Sequence, residues 1–291
     1  STLSVFGAAA VGSALAVLDM VPPPRSPEAM FPDVARDAWE PYEDILEDGQ
    51  LQLYYGVWVV RSQGQTILVD TGMGPGPHAE LGNRTGNLYE ELRPILVPAD
   101  RTSNTNVSPS DEVNIVVHTH LHRDHVGWNL QYSGGMPAPY FRRARYLVPK
   151  LDWDHFTKPE VMEAHPYIKT QVMPLQRLRK IDLIEGEHNL TDEVTTLPTP
   201  GHTPGHQAIL ISSQGEKAMI VGDVLHSKAQ VHEPSWTAGV DVDKGMSRRS
   251  REALLELAER EEYVVAAGHF HPTDHIGKVV RLEGRRYWQA G

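Results

Sequence analysis

The segment from His118 to Asn129, HTHLHRDHVGWN, sets histidines and an aspartate at spacings suited to metal coordination. His120 and His122 follow directly on Asn114 to His118 (NIVVH), an apolar run that reads as a strand. Extended backbone sends alternate side chains to the same side, so these two imidazoles can converge on one ion. Asp124 and His125 lie just beyond, where the chain turns toward a helix and both can point at a second ion nearby. Imidazole and carboxylate ligands without thiolate suit zinc, with manganese, iron and cobalt as alternatives. Thiolate is excluded outright, because the chain contains no cysteine.

Such a cluster needs rigid elements to hold it. Strand-like runs occur at Leu53 to Val60, Thr66 to Asp70, Asn114 to His118 and Arg145 to Val148. A second set follows at Val194 to Leu197, Ala208 to Ser212, Ala218 to Val221, Tyr263 to Ala267 and Lys278 to Leu282. From Ser247 the segment SRRSREALLELAEREE puts Ala253, Leu254, Leu257 and Ala258 on one helical face, with a serine available as its cap. Two strand-rich halves with a few covering helices predict an α+β fold, an αββα sandwich of two mixed sheets flanked by helices. Residues 1–291 are read as one domain. Val21 to Arg25 (VPPPR) begins a proline-rich stretch that sustains neither a helix nor a central strand, so residues from about 20 to 50 are expected to form an extended loop or arm.

Composition removes several functions. With 27 basic and 38 acidic residues the formal charge is −11, which opposes nucleic-acid binding. The apolar run Leu3 to Leu18 lacks a preceding lysine or arginine and is broken by Gly7 and Gly12, so it reads as an opening strand pair rather than a targeting remnant. Nothing approaches the ~20 apolar residues of a membrane span. The expected partner is a small-molecule substrate, with no nucleic acid and no membrane. A homodimer is left open, and the expected location is cytoplasmic, with secretion or a periplasmic location also open.

The motif from His120 to His125 resembles the HxHxDH signature of the metallo-beta-lactamase superfamily. TPGHTPGH (Thr199 to His206), IVGDVLH (Ile220 to His226) and AAGHFHP (Ala266 to Pro272) resemble that family's later motifs and occur in its order. The resemblance runs from about Tyr55 to Val280. It implies a hydrolase with two divalent metal ions, zinc first among the candidates. One ion would be held by His120, His122 and His202, the other by Asp124, His125 and His269, with Asp223 bridging them. His271 and His275 are rivals for the last position. Asp70, in TILVDTG, is implied to fix a ligand histidine by accepting its free ring N–H. His118 and His206 are read as structural, and His78, His155, His165, His188 and His232 as surface or packing residues.

Departures from family patterns narrow the chemistry. The best-known beta-lactamases need a cysteine where Asp223 stands. The flavodiiron proteins would carry a glutamate at His122, and glyoxalase II a long C-terminal extension where only 22 residues follow His269. The pattern is similar to the acyl-homoserine lactonases and the methyl parathion hydrolase group. His226 stands where the lactonases have a tyrosine, and GDVLH favours the second group. Lactones, carboxylic esters and phosphotriesters are therefore the expected substrates, with a phosphodiesterase or a non-catalytic scaffold as alternatives. Asp124 is implied to carry a proton to the leaving group, and His226 to face the substrate. Trp128, Phe156 and Trp236 are expected to line the pocket.

Overall fold

A computed structural model describes residues 13–97 and 108–291. The strands run β1 (Ser13–Met20), β2 (Tyr55–Ser62), β3 (Gln65–Val69), β4 (Ile115–Val117), β5 (Leu130–Ser133), β6 (Met136–Pro139), β7 (Arg145–Pro149) and β8 (Ile181–Ile184). They continue with β9 (Val194–Pro198), β10 (Gln207–Ser213), β11 (Glu216–Ile220), β12 (Val264–Ala266), β13 (Ile276–Leu282) and β14 (Arg285–Ala290). One sheet has the order β1-β2-β3-β4-β7-β8, the other β14-β13-β12-β11-β10-β9, and β5 and β6 form a separate ribbon. Both large sheets are mixed. β3, β4, β7 and β8 run parallel, as do β11 and β12, and the remaining pairs are antiparallel.

Alternation along the strands explains how the layers stack. In β2 and β3, Trp58, Val60, Ile67 and Val69 face the second sheet and meet Val194, Ile209, Ile211 and Ile220. Their neighbours Val57, Val59 and Leu68 face the other way, onto Leu88, Leu92 and Leu96 of the helix Leu88–Leu96. On the far side Met219, Val221 and Val265 pack against Leu254, Leu255 and Ala258 of the helix Lys244–Arg260. Each sheet thus buries both faces, and the helices are held by their apolar stripes. This is the αββα sandwich expected from the sequence.

Several details differ from expectation. The long C-terminal helix begins three residues early and is capped by Asp243, whose side chain accepts from the Met246 amide at 2.8 Å, rather than by a serine. β5, β6, β8 and β14 carry weak apolar signals, and β6 contains two prolines, which an edge ribbon tolerates. Of the opening strand pair, only the part from Ser13 is described; it forms β1, whose partner is β2. The remainder, with Leu3, lies outside the described residues. The stretch from 20 to 50 is not a bare loop. It forms the helix Pro27–Met30 and the 3₁₀ segment Arg36–Ile45, and buries Phe31, Trp39 and Tyr42 against Trp236. Aromatic residues spread among prolines have no period, so their joint burial leaves no trace in the sequence pattern.

Candidate metal centre

The sequence-predicted residues converge at one end of the two sheets. β4 delivers His120 and His122, the short helix Arg123–Val126 delivers Asp124 and His125, and the loop after β9 delivers His202. Asp223 follows β11, and His269 follows β12. Gly222 makes the position of Asp223 possible: its φ is +52°, and a Cβ there would come 2.7 Å from His206 Nε2.

Asp223 lies at the centre. Its Oδ2 is 3.2 Å from His202 Nε2 and 3.7 Å from His120 Nε2, while its Oδ1 is 3.2 Å from His125 Nε2 and 3.1 Å from His269 Nε2. His122 Nδ1 sits 3.1 Å from His120 Nε2 and 2.9 Å from His202 Nε2. Asp124 Oδ2 completes the second group, 3.8 Å from His125 Nε2 and 3.9 Å from His269 Nε2. Two main clusters result, His120, His122, His202 with Asp223 and Asp124, His125 with His269, and a third grouping, Asp223, His226 and His269, overlaps both sides; in each the ligand atoms lie within 4.8 Å of one another.

The far sides of the rings decide which nitrogen faces inward. Thr119 Oγ1 donates to Asp70 Oδ2 at 2.7 Å, so its lone pair is left for His120 Nδ1 at 2.9 Å. His125 Nδ1 donates to Asp70 at 2.8 Å, His202 Nδ1 to Asp241 at 2.8 Å, and His269 Nδ1 to the Tyr54 carbonyl at 2.9 Å. In the neutral form, with Nδ1 protonated, each of the four rings turns a bare Nε2 lone pair into the centre. Lone pairs this close repel unless a cation lies among them. His125 Nε2 and Asp223 Oδ1 are both buried and share no hydrogen bond, although only 3.2 Å separates them. A nitrogen and oxygen donor set of this kind fits divalent cations.

The electrostatics agree. Burial, then the neighbouring ring His125, holds His120 well below the ordinary histidine range, and burial with His202 does the same for His122. Both are thereby kept in the neutral form that binds metal. Burial opposes charge at His202 as well, yet Asp223 and Asp241 raise it to about 9. A field negative enough to retain a proton there attracts a cation equally well. Burial would raise Asp70, but the positive field at His125, the hydrogen bond from that ring at 2.8 Å and the His118 ring 3.6 Å away hold it down at about 2.

Outside the clusters, two carboxylates had no sequence signal. Asp241 supports His202. Asp152 accepts from the Leu121 amide at 3.0 Å, Thr203 Oγ1 at 2.9 Å and the Gly205 amide at 2.6 Å, tying the two histidine loops together. His206 accepts from the Asp223 amide at 3.0 Å through Nε2. His226 Nε2 is 3.2 Å from Asp223 Oδ2, and its ring stacks on His269 at 5.3 Å. His118 is fully buried beside Asp70. His271 is exposed and His275 packs edge-on against Trp58, so neither stands with the clusters.

A pocket of about 350 Å³ opens onto the centre. His122, Asp124, His202, Asp223, His226 and His269 reach its floor, and Met30, Leu53, Phe156, Val240 and Val242 supply apolar walls. Of the three aromatic residues expected there, Phe156 borders the pocket and Trp128 and Trp236 do not. Trp128 donates to Asp19 at 2.9 Å and packs beneath the helix Leu88–Leu96, on the outer face of its sheet. Trp236 is 4.7 Å from Trp39 and anchors the arm. His155 and His165, read as surface or packing residues, border the pocket, as do Tyr55 and Tyr167, which no sequence motif marks.

Residues 56–269 match the family model of the metallo-beta-lactamase superfamily. N-acyl homoserine lactonase AiiA of Bacillus thuringiensis subsp. kurstaki is 26% identical over 232 residues, which cover 77% of this chain and 84% of the relative. Among solved structures, AidC, a dizinc quorum-quenching lactonase in complex with a product, matches with a TM-score of 0.80 at 19% identity, over 100% of this chain and 97% of its own. AbOPH, described as a hydrolase in the beta lactamase superfamily, matches with a TM-score of 0.79 at 20% identity over the same shares. At such identities the two structures establish the fold, and the family model extends over most of the chain.

Proposed function

This chain belongs to the metallo-beta-lactamase superfamily and is a metallo-hydrolase, and we propose that it works with a pair of divalent ions, zinc first, to open lactones of small acylated molecules. One observation carries the reading: the two oxygens of Asp223 divide between two histidine clusters, as a carboxylate shared by two ions requires. His120, His122 and His202 would hold one ion, Asp124, His125 and His269 the other. When bound, the pair supplies a water acidified toward neutral pH and an electrophile for the substrate carbonyl.

The chain's own residues do the rest. Asp70, Asp241, Thr119 and the Tyr54 carbonyl fix ring tautomers, so that the centre forms without reorganisation. Asp124 has its side chain about one-fifth exposed, whereas that of Asp223 is almost wholly buried. It therefore reaches the pocket and can pass a proton to the departing oxygen. Phe156, Met30 and Leu53 exclude water from one side of the scissile bond and take the acyl portion. The lactone assignment draws on AiiA, whose name gives that activity.

A second reading, aryl esters or phosphotriesters, is favoured by His226. It is almost fully buried, borders the pocket, and leaves Nδ1 without a hydrogen-bond partner among the described residues. A panel of N-acyl homoserine lactones, aryl esters and phosphotriesters, run on protein of measured metal content, tests both. Close to two first-row metal ions per chain and loss of turnover on chelation are expected, with lactones fastest. Full activity with one ion per chain would overturn the dinuclear proposal.

A further inference from the structure

The pocket wall carries a cation that the reaction does not use. Arg25 borders the pocket from the arm, and its backbone is fixed there by two hydrogen bonds with Leu51, N to O at 3.0 Å and O from N at 2.7 Å. Its guanidinium has no hydrogen bond or ion pair among the described residues. The other charged wall residues are spoken for. Arg123 pairs with Glu80, and Asp124 and Asp223 face the histidine clusters. In a chain of net charge −11, an arginine without an acidic partner on the wall of a concave, partly apolar site is a ready anion receptor.

Resting on the hydrolase reading, we propose that Arg25 is a specificity residue, and that the favoured substrates are esters or lactones whose acyl portion ends in an anionic group, a carboxylate above all. The apolar stretch between the scissile carbonyl and that group would lie along Met30 and Leu53, and the carboxylate would meet the guanidinium in a charge-assisted pair. No covalent step involves Arg25. Because its side chain is exposed and only its backbone is bonded, substitution there leaves the arm's fold intact.

A matched pair of substrates isolates the effect: p-nitrophenyl hexanoate and the mono-p-nitrophenyl ester of adipic acid, equal in length and differing in the terminal carboxylate. For the metal-loaded wild type, kcat/KM should favour the adipate ester, mainly through KM. Arg25→Gln should cut that preference about tenfold, Arg25→Glu should reverse it, and Arg25→Lys should restore part of it. Calorimetric binding of adipic acid monoanilide and hexananilide to the metal-free protein gives a readout independent of turnover, with the acid binding tighter and losing its advantage in Arg25→Gln. An unchanged preference in Arg25→Gln, or none in the wild type, overturns the inference. Failure to hydrolyse either ester, with the binding preference intact, would instead sink the hydrolase reading and leave the receptor.

Discussion

Asp241 Oδ1 lies 2.8 Å from His202 Nδ1, and the other oxygen of the same carboxylate accepts from the Ala238 amide at 3.1 Å. Burial opposes its ionisation, but the hydrogen bond from His202 keeps Asp241 below the usual carboxylate range. Arg251, fully buried, stands 3.8 Å from it and donates to the carbonyls of Val224, Pro234 and Trp236. The ring of His202 is therefore aimed by a loop that is itself pinned from the helix Lys244–Arg260. Asp241→Ala should lower metal affinity about 10–100-fold, chiefly for the ion shared by His120, His122 and His202. Competition with a chromophoric chelator measures it; wild-type affinity would show that His202 holds its orientation without help.

Asp223→Ala should weaken both metal positions together, since its two oxygens serve separate clusters. His206→Ala should do less. His206 bonds the Asp223 backbone amide through Nε2 and Thr199 Oγ1 through Nδ1, so neither ring nitrogen is left for an ion and the variant should still take up two ions at saturating metal, with affinity reduced about tenfold. Elemental analysis after dialysis against graded free zinc separates the two; equal losses would make His206 a ligand in its own right.

His226→Tyr bears on the substrate. If the residue faces the reacting group, metal content should be retained while lactone turnover rises relative to aryl ester and phosphotriester turnover. Loss of a single donor to the developing charge typically costs ~10²–10³ in rate, so the ratio is the sensitive quantity. Loss of metal would mean that the contact with Asp223 Oδ2 is the residue's whole role.

Asp19 gives a pH signature away from the centre. Burial raises its pKa to about 6, against the pull of hydrogen bonds from Trp128, Met73, Leu88 and Gly74. A folded-state pKa above the unfolded value near 3.8 means that its contribution to stability is whole below about pH 4 and is lost as pH rises through 6. The loss amounts to about 3 kcal/mol. Asp19→Asn removes the titration but offers an NH₂ to a set of donors, so it should be less stable throughout. Urea unfolding from pH 4 to 7 should show the wild type's advantage over this variant shrinking by about that amount; a constant gap would mean that Asp19 stays ionised in the fold.

The sequence made the centre legible because its residues sit at strand ends, where period-two geometry and local turns determine direction. His120 and His122 needed only the strand before them. Asp241 and Asp152 were not legible, because their partners lie 39 and 31 to 53 residues away and no local pattern marks a carboxylate that will meet them. Trp128 illustrates the opposite error. Its closeness to the metal motif suggested the pocket, yet the turn at Gly127 directs it to the far side of the sheet. The sandwich itself was readable from two sets of apolar runs, whereas the edge strands β8 and β14, with mixed polar faces, were not.

The arm has a consequence for how this protein could diverge. It contributes Arg25 and Met30 to the pocket while anchoring itself through Phe31, Trp39 and Tyr42 on Trp236, away from every histidine of the two clusters. Part of the pocket wall is consequently encoded apart from the metal-centre residues, while Phe156, Val240 and Val242 lie among them. A lineage could rewrite or exchange residues 22–31 and acquire a different diet of substrates with its catalytic inheritance untouched.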